Sequence, residues 1–167
     1  MMDLSAEQIE IKEISESLEK SKNRPSIESR YKFFYNSIAL NNALLPNPSL
    51  LGVKSIGSYA YELDKSVLEE FIDTSVKATK LYVVEDFDRS IKFTDGKLII
   101  KFSESQNLEE FANNNSLELT SDFSAINTGV FKVQDFSQIE KTILNLQAQK
   151  NIKEIELNTL NPQIQKR

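Results

Sequence analysis

Histidine and cysteine are both missing from the 167 residues. A Ser-His-Asp triad, a Cys-His pair and imidazole metal ligation are therefore excluded within this chain. Disulfides, thiolate nucleophiles and thiolate metal sites go with them. The missing cysteine does not choose a compartment, because bacterial secreted proteins and cytosolic proteins both do without it. Glycine and proline number four each, too few for long linkers or low-complexity tracts, and no repeat recurs at solenoid spacing. No segment approaches the roughly 18 consecutive apolar residues of a membrane span, so no membrane partner is expected. The start, Met1-Met2-Asp3, has neither the basic n-region nor the apolar h-region of a signal peptide. Positive charge is also scarce. The net charge is −5, and neither half offers a basic platform for a phosphate backbone, so no nucleic-acid partner is expected.

What remains is a normal globular balance, 40% hydrophobic and 27% charged, with room for one ordinary domain or two small ones. Ser5 and Gln8 form a capping-box pattern ahead of Ile11, Ile14 and Leu18 on one helical face. After Arg24-Pro25-Ser26, residues Ile27, Tyr31, Phe34, Ile38 and Leu45 recur at steps of three, four and seven, which predicts a second helix ended by Pro46 and Pro48. Residues 46–62 read as an irregular connection. Asp64 then caps a predicted third helix with Val67, Leu68, Phe71, Ile72 and Val76 on one face. Residues 1–89 are accordingly expected to be a mainly helical region, and 90–167 a separate module.

The period changes from residue 80 onward. Lys80–Glu85 is rich in strand formers, and Asp95-Gly96 is a turn pattern that would join Ile91–Phe93 to Lys97–Phe102 as a hairpin. Asn107–Ala112 predicts a short helix stopped by Asn113–Asn115. Leu117–Leu119 and Gly129–Val133 read as strands around a loop containing Asp122-Phe123-Ser124. Ser137 with Glu140 is a second capping box, opening a helix whose inward face is Ile139, Ile143 and Leu146. Ile152–Leu157 closes the order. The fold class is α+β, with β-α-β-β-α-β from residue 97, the ferredoxin-like arrangement of an antiparallel four-stranded sheet with two helices on one face. Ile99, Phe111, Val130, Ile139, Ile143 and Ile155 are its candidate core.

Other candidate sites carry less. Gly52 and Gly57 have phosphate-loop spacing, but Ser58-Tyr59 stands where Lys-Ser/Thr is needed. Glu85-Asp86-Phe87-Asp88 lacks the oxygen spacing of an EF-hand loop and reads as a solvated turn. Arg30–Tyr35 mixes aromatic and basic residues, yet Tyr31 and Phe34 belong to the apolar stripe. Glu69-Glu70 and Glu109-Glu110 are adjacent on helices and point apart, so neither is an acid/base pair. Ser103–Gln106 has no Arg, which removes an acylphosphatase-type phosphate loop. No cofactor and no metal site are expected.

Gly96-Lys97-Leu98-Ile99-Ile100-Lys101-Phe102 is a glycine followed by an apolar strand ending in Lys-Phe. Leu108–Ala112 follows as a leucine-bearing helix, Gly129–Asp135 as an apolar strand ending near an acid, and Leu146–Asn158 as a leucine, polar residues, Asn-Ile and a strand closing in Glu-x-Asn. In this order and spacing residues 95–160 resemble the pro-domains of subtilisin-family serine proteases, particularly the fervidolysin- and thermitase-like branch. Leu157 stands where proline is common, and Gln149-Lys150 where Asp-Pro is usual.

The resemblance implies a non-catalytic chaperone and inhibitor whose partner is a subtilisin-like serine protease, its own downstream domain or a cognate enzyme. It implies a secreted or periplasmic location, the alternative being cytoplasmic. The sheet would pack on two surface helices of the protease, with Glu156 and Asn158 capping their N-termini, where free N–H groups and a positive dipole end favour an acid. The tail, 159–167, would enter the active-site cleft as an extra strand, with Leu160, Ile164, Lys166 and Arg167 as contact residues. Ile164 or the basic pair Lys166-Arg167 would precede the cleaved bond. The alternative reading is a free-standing interaction or regulatory module with a ferredoxin-like sheet and no protease partner.

Overall fold

A computed structural model of the protein describes residues 27–47, 50–72 and 80–162. Their order is α1 (Ile27–Arg30), β1 (Lys32–Asn41), β2 (Lys54–Ile56), β3 (Tyr59–Glu62), α2 (Glu69–Ile72), β4 (Leu81–Glu85), β5 (Ile91–Phe102), α3 (Leu108–Asn114), β6 (Leu117–Phe123), β7 (Thr128–Val133), α4 (Ile139–Gln147) and β8 (Ile152–Leu160). They divide into two compact units. One holds the described residues of 31–96 together with 159–162, and the other holds 27–30 and 97–158.

The first unit overturns the second helix expected from Ile27 to Leu45 and the irregular connection expected over residues 46–62. Helix α1 ends at Arg30, and the chain then extends as β1, which pairs antiparallel with β3 through Ile38–Asn41 and with β4 through Lys32–Phe34 and Ala39. β2 and β3 form a hairpin inside the stretch expected to be irregular, and β4 pairs with Ile91–Thr94 of β5. The physical reason is composition. Lys32–Asn41 is rich in aromatic and branched residues that suit a pleated surface, and its second half, Ser37–Leu40, is buried on both faces. Ile38 and Leu40 join Leu45, Ala60 and Leu68 on one side, and Ala39 joins Tyr61, Val83 and Phe93 on the other. A strand buried on both faces loses its two-residue period. The register of β1 on β4 shifts between Phe34 and Ala39, and this shift gave the apolar residues their helix-like spacing. Within it the buried Ser37 hydroxyl accepts from Val83 N–H at 2.7 Å and donates to the Phe34 carbonyl at 2.5 Å.

Asp64 is not the cap of the following helix. Glu62 takes that place, accepting from the N–H groups of Ser66, Val67 and Leu68 at 3.3, 3.0 and 2.7 Å and from the Ser66 hydroxyl at 2.9 Å. Burial pushes the Glu62 carboxyl up, but the bonds from Leu68, Ser66 and Val67 outweigh it and hold the group below its ordinary value. Of the apolar face expected for this helix, Leu68 is fully buried and Phe71 and Ile72 pack beside it. Val76, like the helix expected over residues 5–18, lies outside the described residues.

In the second unit β7 pairs antiparallel with β5 and with β6, and β8 pairs with β5. Asp95-Gly96 does not turn the chain. It lies inside the continuous strand β5, where Gly96 has φ +82° and Thr94 Oγ1 accepts its N–H at 3.1 Å. A glycine takes such a φ inside a strand without the steric cost other residues would meet. Leu98, Ile100 and Phe102 are at most 1% exposed, and the rings of Phe102, Phe111 and Phe131 meet edge-on with centroids 4.8–6.3 Å apart. Helix α3 therefore covers that face. Its cap is Asn107, whose side chain accepts from Glu110 N–H at 3.1 Å. Ile139, Ile143 and Leu146 of α4 are buried as expected, but Ser137 does not cap the helix: Gln138 stands at its N-cap without a side-chain bond, and Asp135 caps the short 3-10 turn before it, accepting from Ser137 N–H at 3.0 Å. Ile155 is only half-buried, and its neighbour Leu157 is the sealed residue at 1%.

Candidate functional site

β6 runs on to Phe123, where only Leu117–Leu119 was expected, and it does so through an extra residue. Leu119 faces Phe131, yet Ser121 faces Val130, so Thr120 is inserted; its hydroxyl donates to the Val130 carbonyl at 3.1 Å. A bulge of this kind flips the phase of the strand. Leu117 and Leu119 point with Phe131 and Val133 toward α3, whereas Ser121 and Phe123 point the other way.

On that second face, directly opposed residues define cross-strand rows. Glu118, Lys132 and Lys97 form one, Ser121, Val130 and Ile99 the next, and Phe123, Thr128 and Lys101 the third. Ile99, Phe123 and Val130 form a small apolar cluster with Ile126 packed against it. Three lysines surround it, Lys132 exposed and Lys97 and Lys101 half-buried. Ile99 and Val130 are thus buried, as expected for core residues, but on the sheet face away from the aromatic trio. Lys97, Lys101 and Lys132 were not singled out from the sequence, because a lone lysine in a strand has no local mark of function.

β8 places Glu156, Asn158 and Leu160 at alternate positions, hence on one side of the strand. Glu156 is buried at 8% exposure and engaged within the fold. Asn158 and Leu160 are half-buried. Glu154 shares that side, and one of its carboxylate oxygens is buried without a hydrogen-bond partner. The last residues of β8, Thr159 and Leu160, and the following Asn161 and Pro162 group with the first unit. Pro162 is buried. Its carbonyl lies against the turn between β2 and β3, where a Cβ on Gly57 would overlap the carbonyl oxygen. Ile164, Lys166 and Arg167 lie outside the described residues.

These surfaces can pair charges, accept N–H groups and bury apolar area. Among the described residues no group of three or more acids is placed to hold a metal ion, and no helix is long and apolar enough to cross a membrane.

Residues 83–158 match the family model of the fervidolysin N-terminal prodomain, a stretch just under half of the chain. The matched segment runs from within β4 to Asn158 and is consistent with a subtilase propeptide. Comparison with curated proteins and with solved structures gives no match.

Proposed function

We propose that residues 90–167 act as the pro-domain of a secreted subtilisin-like serine protease, an intramolecular chaperone and tight-binding inhibitor without catalysis of its own. The match over residues 83–158 carries this reading. The strand order β6-β7-β5 with β8 on β5, and the placing of α3 and α4 between strands, support a ferredoxin-like βαββαβ module.

On this reading the apolar cluster of Ile99, Phe123 and Val130, with its lysine surround, packs on two surface helices of the protease. Glu156 and Asn158 cap those helices, whose first N–H groups lack intrahelical partners. The residues beyond Asn158 lie in the active-site cleft as an added strand, with affinity from main-chain pairing and specificity from side-chain pockets.

The test uses a mature subtilisin as probe. The full chain should inhibit it and speed its refolding from denaturant. Glu156→Ala should weaken inhibition by roughly 1.5–3 kcal/mol, about 10- to 150-fold. Because Glu156 is buried, a parallel thermal melt separates lost binding from lost folding, and Glu156→Gln supplies the gentler variant. If the full chain neither inhibits the protease nor changes its refolding, the propeptide reading is wrong.

A further inference from the structure

Two of the three asparagines that stop α3 also line a cavity. Asn114 and Asn115 border a recess of about 430 Å³ in the second unit, beside α3 and the residues that follow α4. Eight residues line it, and six of them carry side-chain amides: Gln106, Asn107, Asn114, Asn115, Gln149 and Asn151. The other two are Glu110 and the buried Phe111. A smaller recess of about 230 Å³ shares Asn114 and Asn115 and continues over Ser116, Thr142 and Asn145.

Hydrogen bonds fix which way several of these amides face. The Phe111 carbonyl can only accept, and it takes Asn115 Nδ2 at 2.8 Å. Asn115 Oδ1 can only accept in its turn, and it takes Gln149 Nε2 at 2.8 Å. Gln149 Oε1 is thereby left as an acceptor. Asn107 Oδ1 accepts Glu110 N–H at 3.1 Å, which leaves Asn107 Nδ2 as a donor. The main chain of Asn151 is held as well, its carbonyl accepting the Ser103 N–H at 2.9 Å and the Ser103 hydroxyl at 3.2 Å. The side chains of Gln106, Asn114 and Asn151 have no hydrogen-bond partner among the described residues, although Gln106 and Asn151 are half-buried. An amide withdrawn from water without a partner is costly, so a ligand that supplies those bonds is favoured.

The chemistry of the lining selects that ligand. Among the described residues no lysine or arginine lines either recess, and Glu110 adds negative charge, which disfavours anions. One carboxylate is too few for a calcium-type oxygen cage. Phe111 and Leu146, the apolar lining residues, are already buried, so an apolar ligand would gain little area. An amide offers a donor and an acceptor side by side, and a sugar hydroxyl is both at once. An extended peptide offers both too, but divides them between its two edges. Beside α3, seven residues and so about 10 Å long, it would present only two or three of them.

We propose that this recess is a saccharide-binding site for one or two neutral sugar units. Asn107 Nδ2 donates to their hydroxyls, Gln149 Oε1 and the Glu110 carboxylate accept from them, and Gln106, Asn114 and Asn151 complete the set. The site lies on the side of the sheet that α3 covers, away from the cluster of Ile99, Phe123 and Val130, and does not rest on the propeptide reading.

The test titrates the nitrogen-labelled full chain with cellobiose and with N,N′-diacetylchitobiose, followed by two-dimensional NMR to about 20 mM, well past a Kd of about 1 mM. At least one disaccharide should move the side-chain amide signals of Asn107, Asn114, Gln149 and Asn151 along a saturating curve, and tetraglycine should leave them in place. Asn107→Asp and Asn107→Ser both keep the cap and remove the Nδ2 donor. Each should weaken the disaccharide about three- to tenfold, as one lost hydrogen bond does. Glu110→Gln, an isosteric change at an exposed position, should do the same. No saturating shift with either disaccharide overturns the site. Saturation that none of the three variants weakens places the sugar elsewhere and overturns the recess. Shifts from tetraglycine without shifts from the disaccharides overturn the saccharide in favour of a peptide main chain.

Discussion

Replacing Phe131 by alanine tests what holds the matched segment together. Phe131 is fully buried on β7, with its ring 5.3 Å from that of Phe111 and 6.3 Å from that of Phe102. Leu98 and Leu119 stand directly across from it on the neighbouring strands. Gly129 leaves room for the ring, since a Cβ there would come within 2.7 Å of Phe131 Cε2. Truncating a buried phenylalanine costs about 3–5 kcal/mol in lost transfer energy and cavity, of which the two aromatic contacts account for roughly 1–3. A unit of about 60 residues has only some 3–9 kcal/mol of stability in all. Phe131→Ala should therefore leave this unit near or past its folding midpoint, while Phe131→Leu should lose roughly 1–2 kcal/mol by keeping most of the volume. With a urea slope of about 1–1.5 kcal/mol per molar, the alanine variant should unfold about 2–5 M earlier by far-UV circular dichroism. A bound protease at 100 times its Kd should restore about 2.7 kcal/mol. A midpoint shift of less than about 0.5 M by the same slope would show that the aromatic trio does not carry the core.

Two further substitutions probe the first unit. Ser37→Ala removes the acceptor for the buried Val83 N–H and should cost about 1–3 kcal/mol in chemical denaturation; an unchanged midpoint would mean that the β1–β4 register shift relaxes without it. Glu62→Gln should cost about 1–2 kcal/mol at neutral pH through the weakened cap. Because the folded carboxyl titrates below its ordinary value, its contribution is complete above the ordinary carboxylate pKa of about 4.3 and is lost as pH falls through the folded value. The gap in Tm between wild type and Glu62→Gln should thus be widest near pH 7 and close on acidification; a gap that widens in acid reverses the assignment.

The second unit was largely legible because each element carries its own local mark. Leu98, Ile100 and Phe102 alternate, Asn113–Asn115 stop α3, and Ile139, Ile143 and Leu146 keep helical spacing. At Thr120 an inserted residue breaks the alternation that marks a strand, so the sequence pattern of β6 does not extend to Phe123. β1 failed for a related reason. Ile38, Ala39 and Leu40 are buried in succession, so no polar face alternates with an apolar one. The irregularity around Ser37 then spaced Phe34 and Ile38 as a helix would. Asp95-Gly96 misled in the opposite direction. Its turn preference is real as a local propensity, but pairing on either side, to β4 up to Thr94 and to β7 from Lys97, keeps it within one strand, and the glycine takes the positive φ there.

The placing of Glu156, Asn158 and Leu160 at alternate positions of a closing strand was also legible, since a period of two is all it requires. Their burial was not, and burial changes what Glu156 can do. A half-exposed acid could swing to a partner helix at little cost, whereas a buried, engaged carboxylate must exchange one set of partners for another. On the proposed reading its contribution to inhibition is therefore a difference between two hydrogen-bonded states. The contact of the Pro162 carbonyl with Gly57 left no trace in either segment, because it joins residues far apart in the sequence through main-chain atoms that every residue possesses. The match to the prodomain family ends at Asn158, before Pro162 is reached, and begins after the β2–β3 turn. A fragment limited to residues 83–158 would thus carry the sheet face with Glu156 and Asn158, but neither the Pro162 contact nor the tail. On the proposed reading, docking and delivery of the tail are separable. Such a fragment should retain the sheet contribution to protease binding while losing the competition for the cleft.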